Sequence, residues 1–85
     1  MRYELIIRPS AEKALDRLPQ ATRQRLVNAM QKLREQPRPA GAIKLQGEER
    51  TYRVRVGDYR LVYDIHDDKL IVLVLRVAHR KDAYR

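Results

Sequence analysis

The chain has 85 residues and 44% hydrophobic content, enough for one modest core and too little for a second. It has no Cys, which excludes disulfides and thiolate metal sites and fits an intracellular, cytoplasmic setting. With 19 Lys and Arg against 11 Asp and Glu, the net charge of +8 suits nucleic acid, an acidic protein or an anionic membrane surface.

From the N-terminus, Arg2 to Arg8 reads as a strand, with Tyr3, Leu5 and Ile7 on one face. The run Leu5-Ile6-Ile7 is too short for a signal peptide, so none is expected. Pro9 ends the strand, and Ser10 is placed to cap a short helix with Ala11, Ala14, Leu15 and Leu18 on its apolar side. Pro19 opens a second helix, expected from about Pro19 to Glu35, whose stripe is Leu26, Ala29, Met30 and Leu33 with Val27 beside it. Arg23, Arg25, Lys32 and Arg34 lie off that stripe as a solvated face. Gln36-Pro37-Arg38-Pro39-Ala40-Gly41 is a loop by composition. Lys44-Leu45 leads through Gly47 and the Glu48-Glu49 pair into the next element.

That element is the most patterned part of the chain. Apolar and polar residues alternate from Tyr52 to Val56 and again from Tyr59 to Tyr63, the period of half-buried strands. Gly57-Asp58 between them has Gly in the first place, as a type II′ hairpin turn requires. Val56 is then expected to pair with Tyr59, Arg55 with Arg60, and Arg53 with Val62. One face carries Tyr52, Val54, Val56, Tyr59, Leu61 and Tyr63, and the other carries Arg53, Arg55 and Arg60. Like charges directly opposite destabilise a sheet, by roughly 0.2–1 kcal/mol. A hairpin that only had to fold would avoid them, so the arginines read as a phosphate-binding set. His66-Asp67-Asp68-Lys69 is a second turn, with His66 a surface residue. The run from Leu70 to Val77, apolar on both faces until Arg76, belongs in the middle of a sheet and is too short to cross a bilayer. The order β-α-α-β-β-β over residues 1–85 predicts a single α+β domain, two helices on one face of an antiparallel sheet with the arginine face open.

Several segments in this order resemble the RelE/ParE toxin superfamily, and its RelE branch more than its ParE branch. They are Lys44-Leu45-Gln46-Gly47, the Tyr52-Arg53-Val54-Arg55 strand, Tyr59-Arg60-Leu61-Val62-Tyr63, and the ending Val77-Ala78-His79-Arg80-Lys81-Asp82-Ala83-Tyr84. The resemblance implies a type II toxin that cuts messenger RNA on the ribosome, inhibits translation and is neutralised by a cognate antitoxin with an acidic or amphipathic segment. It implies no cofactor, metal or membrane. Its catalytic positions correspond here to Arg53, Arg55, Arg60, Arg80 and Tyr84, and Lys44, Arg50, Lys81 and Arg85 are expected to bind RNA around them. The best-known RelE toxin has lysines where this chain has Arg53 and Arg55. Arginine does not give up its proton, so the general base is left open. His79, the one imidazole close to the set in sequence, is a candidate base, with packing or phosphate binding as its alternative roles.

Metal-free RNA cleavage needs a 2′-hydroxyl deprotonated, a phosphorane stabilised and a leaving oxygen protonated. Forked guanidiniums on Arg53, Arg55 and Arg60 suit the second task. By resemblance, Arg80 acts at the leaving oxygen and Tyr84 stacks on or orients a nucleotide. Two alternatives use the same surface without chemistry: a ParE-like toxin that inhibits DNA gyrase, and a non-catalytic module that binds RNA or an acidic protein.

Overall fold

In a computed structural model that describes residues 2–81, the chain runs through seven elements. They are β1 (Glu4–Ile7), α1 (Pro9–Asp16), α2 (Gln20–Glu35), β2 (Ile43–Lys44), β3 (Thr51–Val56), β4 (Tyr59–His66) and β5 (Ile71–His79). The five strands form one sheet in the order β1-β5-β4-β3-β2. Two helices pack on one face of it, and among the described residues the other face is open. This is the expected α+β architecture.

The hairpin has the expected register: Val56 opposite Tyr59, Arg55 opposite Arg60, and Arg53 opposite Val62. Gly57 sits at φ +60 while Asp58 keeps a negative φ, the combination of a type II′ turn. Leu61 and Tyr63 are fully buried on the inner face against Leu26, Met30 and Leu33, the stripe expected of α2. Val72 and Val74 of β5 complete the centre of this core.

Three details differ from the sequence reading. First, β1 runs parallel to β5 (Glu4 opposite Ile71, Ile7 opposite Val74), so the sheet is mixed rather than antiparallel. Alternation identifies a strand and its buried face, but it is the same whichever way the strand runs. Second, Ile43–Lys44 adds the edge strand β2 against Arg53 and Tyr52. Two residues are too few to show a period. Third, Ser10 is inside α1 rather than capping it. Pro9 takes the first helical position, where its missing N–H costs nothing, and Arg8 is the N-cap with no side-chain cap bond.

A further irregularity matters for the site. Val62 faces Arg76 but Tyr63 faces Val74, so Leu75 is an extra residue and β5 bulges there.

The connections are held by polar contacts around the core. The Tyr63 hydroxyl donates to the Pro37 carbonyl at 2.8 Å. Arg38 forms an ion pair with Asp67 at 2.8 Å and donates to the Tyr52 hydroxyl at 3.1 Å. The Tyr3 hydroxyl donates to the same Asp67 at 2.6 Å. This clasp ties the loop after α2 to the β4–β5 turn and to β1. The Arg38 hydrogen bond, and then the Tyr3 one, hold the Asp67 carboxyl below the usual carboxylate range. The clasp is therefore stabilising above about pH 4, and its contribution fades as pH falls through the lowered value. Thermal melting from pH 7 to pH 2 should show Asp67→Asn melting below wild type at neutrality, with the two curves converging in acid. Among the described residues no helix is long and apolar enough to cross a membrane.

Candidate functional site

Arg53, Arg55 and Arg60 alternate with Val54, Val56 and Leu61, whose packing on the helix side drives the arginines to the open face. The strands arrange them as a grid. One row across β3, β4 and β5 is Arg53, Val62 and Arg76, and the next is Arg55, Arg60 and Ala78. Strands lie about 4.8 Å apart, so the backbones carrying Arg53 and Arg76 are separated by roughly 10 Å, with Val62 between them. Ala78 is only 7% exposed and too small to fill its place, which leaves a shallow hollow floored by Val62 and Ala78. Leu45, Arg53, Arg60 and Arg76 complete this hollow. A second hollow, between Ile43, Gly41, Arg53, Arg55 and Arg60, adjoins it. Arg53 and Arg60 are common to both.

The remaining positions fall out differently. Arg80 is just past β5, where its backbone N–H donates to the Asp58 carbonyl at 2.7 Å and its Nε lies 3.8 Å from the Asp58 carboxylate. Both side chains are more than half exposed, so this is a weak pair that a phosphate can displace. Arg80 therefore stands at the turn end of the arginine grid. Arg55 also leans that way, its Nε donating to the Gly57 carbonyl at 3.0 Å.

His79 is not brought to the arginines. It pairs with Tyr59 on the helix side, meets that ring edge-on at 5.1 Å, and its Nδ1 accepts the Lys81 N–H at 3.2 Å. Lys44 pairs with Tyr52 and so projects to the helix side of the edge strand. Arg50 is beyond the far end of the hairpin, 3.4 Å from His66, in a cleft it shares with Glu48, Glu49 and Asp64. Lys81 is exposed in the turn after β5. Tyr84 and Arg85 lie outside the described residues. Among the described residues no group of three His, Asp or Glu side chains is placed to hold a metal ion.

The profile of the ParE toxin family of type II toxin–antitoxin systems matches residues 5–84. The chain belongs to the RelE/ParE superfamily of toxins. Within that superfamily its similarity is to RelE-type proteins. It is 34% identical over 86 residues to toxin RelG of Mycobacterium tuberculosis, covering 100% of this chain and 99% of the relative. Its structure resembles a chain of the archaeal RelE–RelB complex from Pyrococcus horikoshii, with a TM-score of 0.84 and 32% identity over 94% of this chain and 97% of that one. It also resembles a chain of the intact Escherichia coli RelBE toxin–antitoxin complex, with a TM-score of 0.79 and 31% identity over 91% and 95% of the two chains.

The sequence reading of this RelE-type toxin missed one member of the grid, Arg76. It appeared there only as the residue interrupting an apolar run. An unbroken alternation from Val72 and Val74 would turn Arg76 toward the helices and His79 toward the arginines. The extra residue at Leu75 reverses both.

Proposed function

We propose that this toxin is a ribosome-dependent endoribonuclease that cuts messenger RNA and thereby stops translation. The observation that supports this best is the convergence of Arg53, Arg55 and Arg60 on one open face, with Arg55 directly opposite Arg60. A fold that needed only stability would separate those charges. In the proposed reaction the 2′-hydroxyl of one nucleotide attacks the adjacent phosphorus in line. The P–O5′ bond breaks, leaving a 2′,3′-cyclic phosphate and a 5′-hydroxyl. Arg53, Arg55 and Arg60 hold the non-bridging oxygens as negative charge develops on them. Arg80 acts at the departing oxygen, and Tyr84 stacks on a flanking base. The general base stays open between groups of this chain and those of the ribosome.

An open, shallow face does little to align a flexible strand, and misalignment forfeits most of what positioning contributes. The ribosome supplies that alignment in this account. The partner that silences the toxin is a cognate antitoxin with an acidic or amphipathic segment. Solved relatives from Pyrococcus horikoshii and Escherichia coli are themselves toxin–antitoxin complexes.

The test is to incubate purified toxin with programmed ribosomes, with the same message free in solution, and with gyrase. Defined cuts within codons on ribosomes, little cutting of free message and unimpaired supercoiling are expected. Supercoiling inhibition without cuts would favour a ParE-like action, which the matching family profile makes the specific competitor.

A further inference from the structure

The arginine grid does not end at the hollow over Ala78. Arg76 lines that hollow and also a further cleft at the sheet edge, where β1 stops and β5 continues paired with β4 only. Arg8, at the junction of β1 and α1, stands at the far side of this cleft, about 460 Å³ in volume, with Leu75, Val77 and Ala14 along its walls. The hollows thus form a chain of shared residues. Arg55 leads to the Arg53 and Arg60 pair, then to Arg76, then to Arg8.

The charged side chains that line these hollows among the described residues are all arginines. Among the described residues no Asp or Glu lines any of the three hollows, whereas Glu48, Glu49 and Asp64 gather at the opposite end of the hairpin. Among the described residues, neither the Arg76 nor the Arg8 side chain has a hydrogen-bond or ion-pair partner. Arg76 is also the one exposed residue of β5, and its neighbours on the strand, Leu75 and Val77, are apolar. Two unneutralised guanidiniums beside apolar walls offer phosphate contacts next to surfaces on which bases and riboses can lie.

We propose that Arg76 and Arg8 form a phosphate track for single-stranded RNA, binding nucleotides beyond the scissile phosphate and so directing the message across β5 toward α1. This deepens the nuclease reading and rests on it for the identity of the strand. Both are positioning residues for the substrate; they take no part in the bond changes. The walls contributed by Val62, Leu75 and Val77 carry no base-edge donors or acceptors from side chains, and with Ser10 the one uncharged polar side chain lining the cleft among the described residues, the track discriminates little between sequences.

The test uses the full chain and a short unstructured oligoribonucleotide, with Lys13→Ala on the exposed side of α1 as the control. Arg76→Ala should weaken oligonucleotide binding by about 3- to 10-fold and reduce the slope of log K against log salt by about 0.7, the value for one phosphate contact on a single strand. Arg8→Ala should do the same, Arg76→Lys should restore most of the affinity, and the control should match wild type. On programmed ribosomes, Arg76→Ala should raise the half-saturating toxin concentration and leave the maximal single-turnover rate within about threefold of wild type. Unchanged affinity and salt slope in Arg76→Ala would overturn the track. So would a collapse of the maximal rate at unchanged affinity, which would make the residue catalytic. Weaker ribosome association with unchanged oligonucleotide binding would also overturn it, assigning the phosphate to ribosomal RNA rather than the message. If Arg76→Ala loses oligonucleotide affinity but wild type makes no cuts on ribosomes, the track stands and the nuclease reading fails.

Discussion

Arg60→Ala is expected to slow single-turnover cleavage on programmed ribosomes by on the order of 10²-fold or more, because it removes a preorganised charge from the phosphorane. The size of this effect follows from position. Arg60 borders both hollows, faces Arg55 across the ladder and lies beside Ala78, so it has the most central place in the grid. Arg60→Lys should fall between the two, since it keeps the charge but loses the fork that grips two oxygens. The fold should survive. Removing one of two facing like charges relieves roughly 0.2–1 kcal/mol, which offsets contacts the side chain makes elsewhere. Thermal melting of the variant alongside its rate separates the outcomes. Melting far below wild type would make Arg60 a structural residue, and normal melting with full activity would place the chemistry elsewhere.

Tyr63→Ala is expected to have the largest effect on stability, a loss of roughly 3–5 kcal/mol by analogy with other buried aromatic truncations. Small domains have only about 5–15 kcal/mol in total, so the variant should be close to unfolding at room temperature. Tyr63 is completely buried, stacks with Tyr52 at 6.2 Å between centroids, and anchors the loop after α2 through Pro37. Tyr63→Phe keeps the ring and strands the Pro37 carbonyl, so it should cost only about 1–3 kcal/mol. Burial pushes the Tyr63 hydroxyl up to about 12. An unfolded tyrosine titrates near 10, so this stabilisation is complete below about pH 10 and is lost as pH rises through the folded value. Denaturant melts at pH 7 and across the alkaline range should show wild type losing stability above pH 10, and Tyr63→Phe losing less.

The parts of this molecule legible in the sequence are those where a short period meets a fixed turn. Gly57-Asp58 and the strict alternation on either side set the hairpin register and the face of each arginine. The spacing of Leu26, Met30 and Leu33 set the buried side of α2 in the same way. The parallel run of β1 was not legible, because alternation has no direction. Strand β2 was too short to show a pattern. The bulge at Leu75 had no local signature, since Leu70 to Leu75 is apolar throughout and tolerates an extra residue without a polar marker. That one insertion decides which side Arg76 and His79 take, and with it the extent of the site across β5 and the loss of the nearest imidazole from it. The acidic clasp around Asp67 was also invisible, because Tyr3, Arg38 and Asp67 meet only once the sheet has assembled.

The most direct measurement of the central claim is cleavage of an end-labelled message on programmed ribosomes, with and without a single 2′-deoxy substitution at the nucleotide preceding the cut. If the arginine face stabilises attack by the 2′-hydroxyl, the all-ribose message gives a 2′,3′-cyclic phosphate and a 5′-hydroxyl. The substituted message should then stay intact at that position. Undiminished cutting at the deoxy position, or ends of any other kind, would contradict the account.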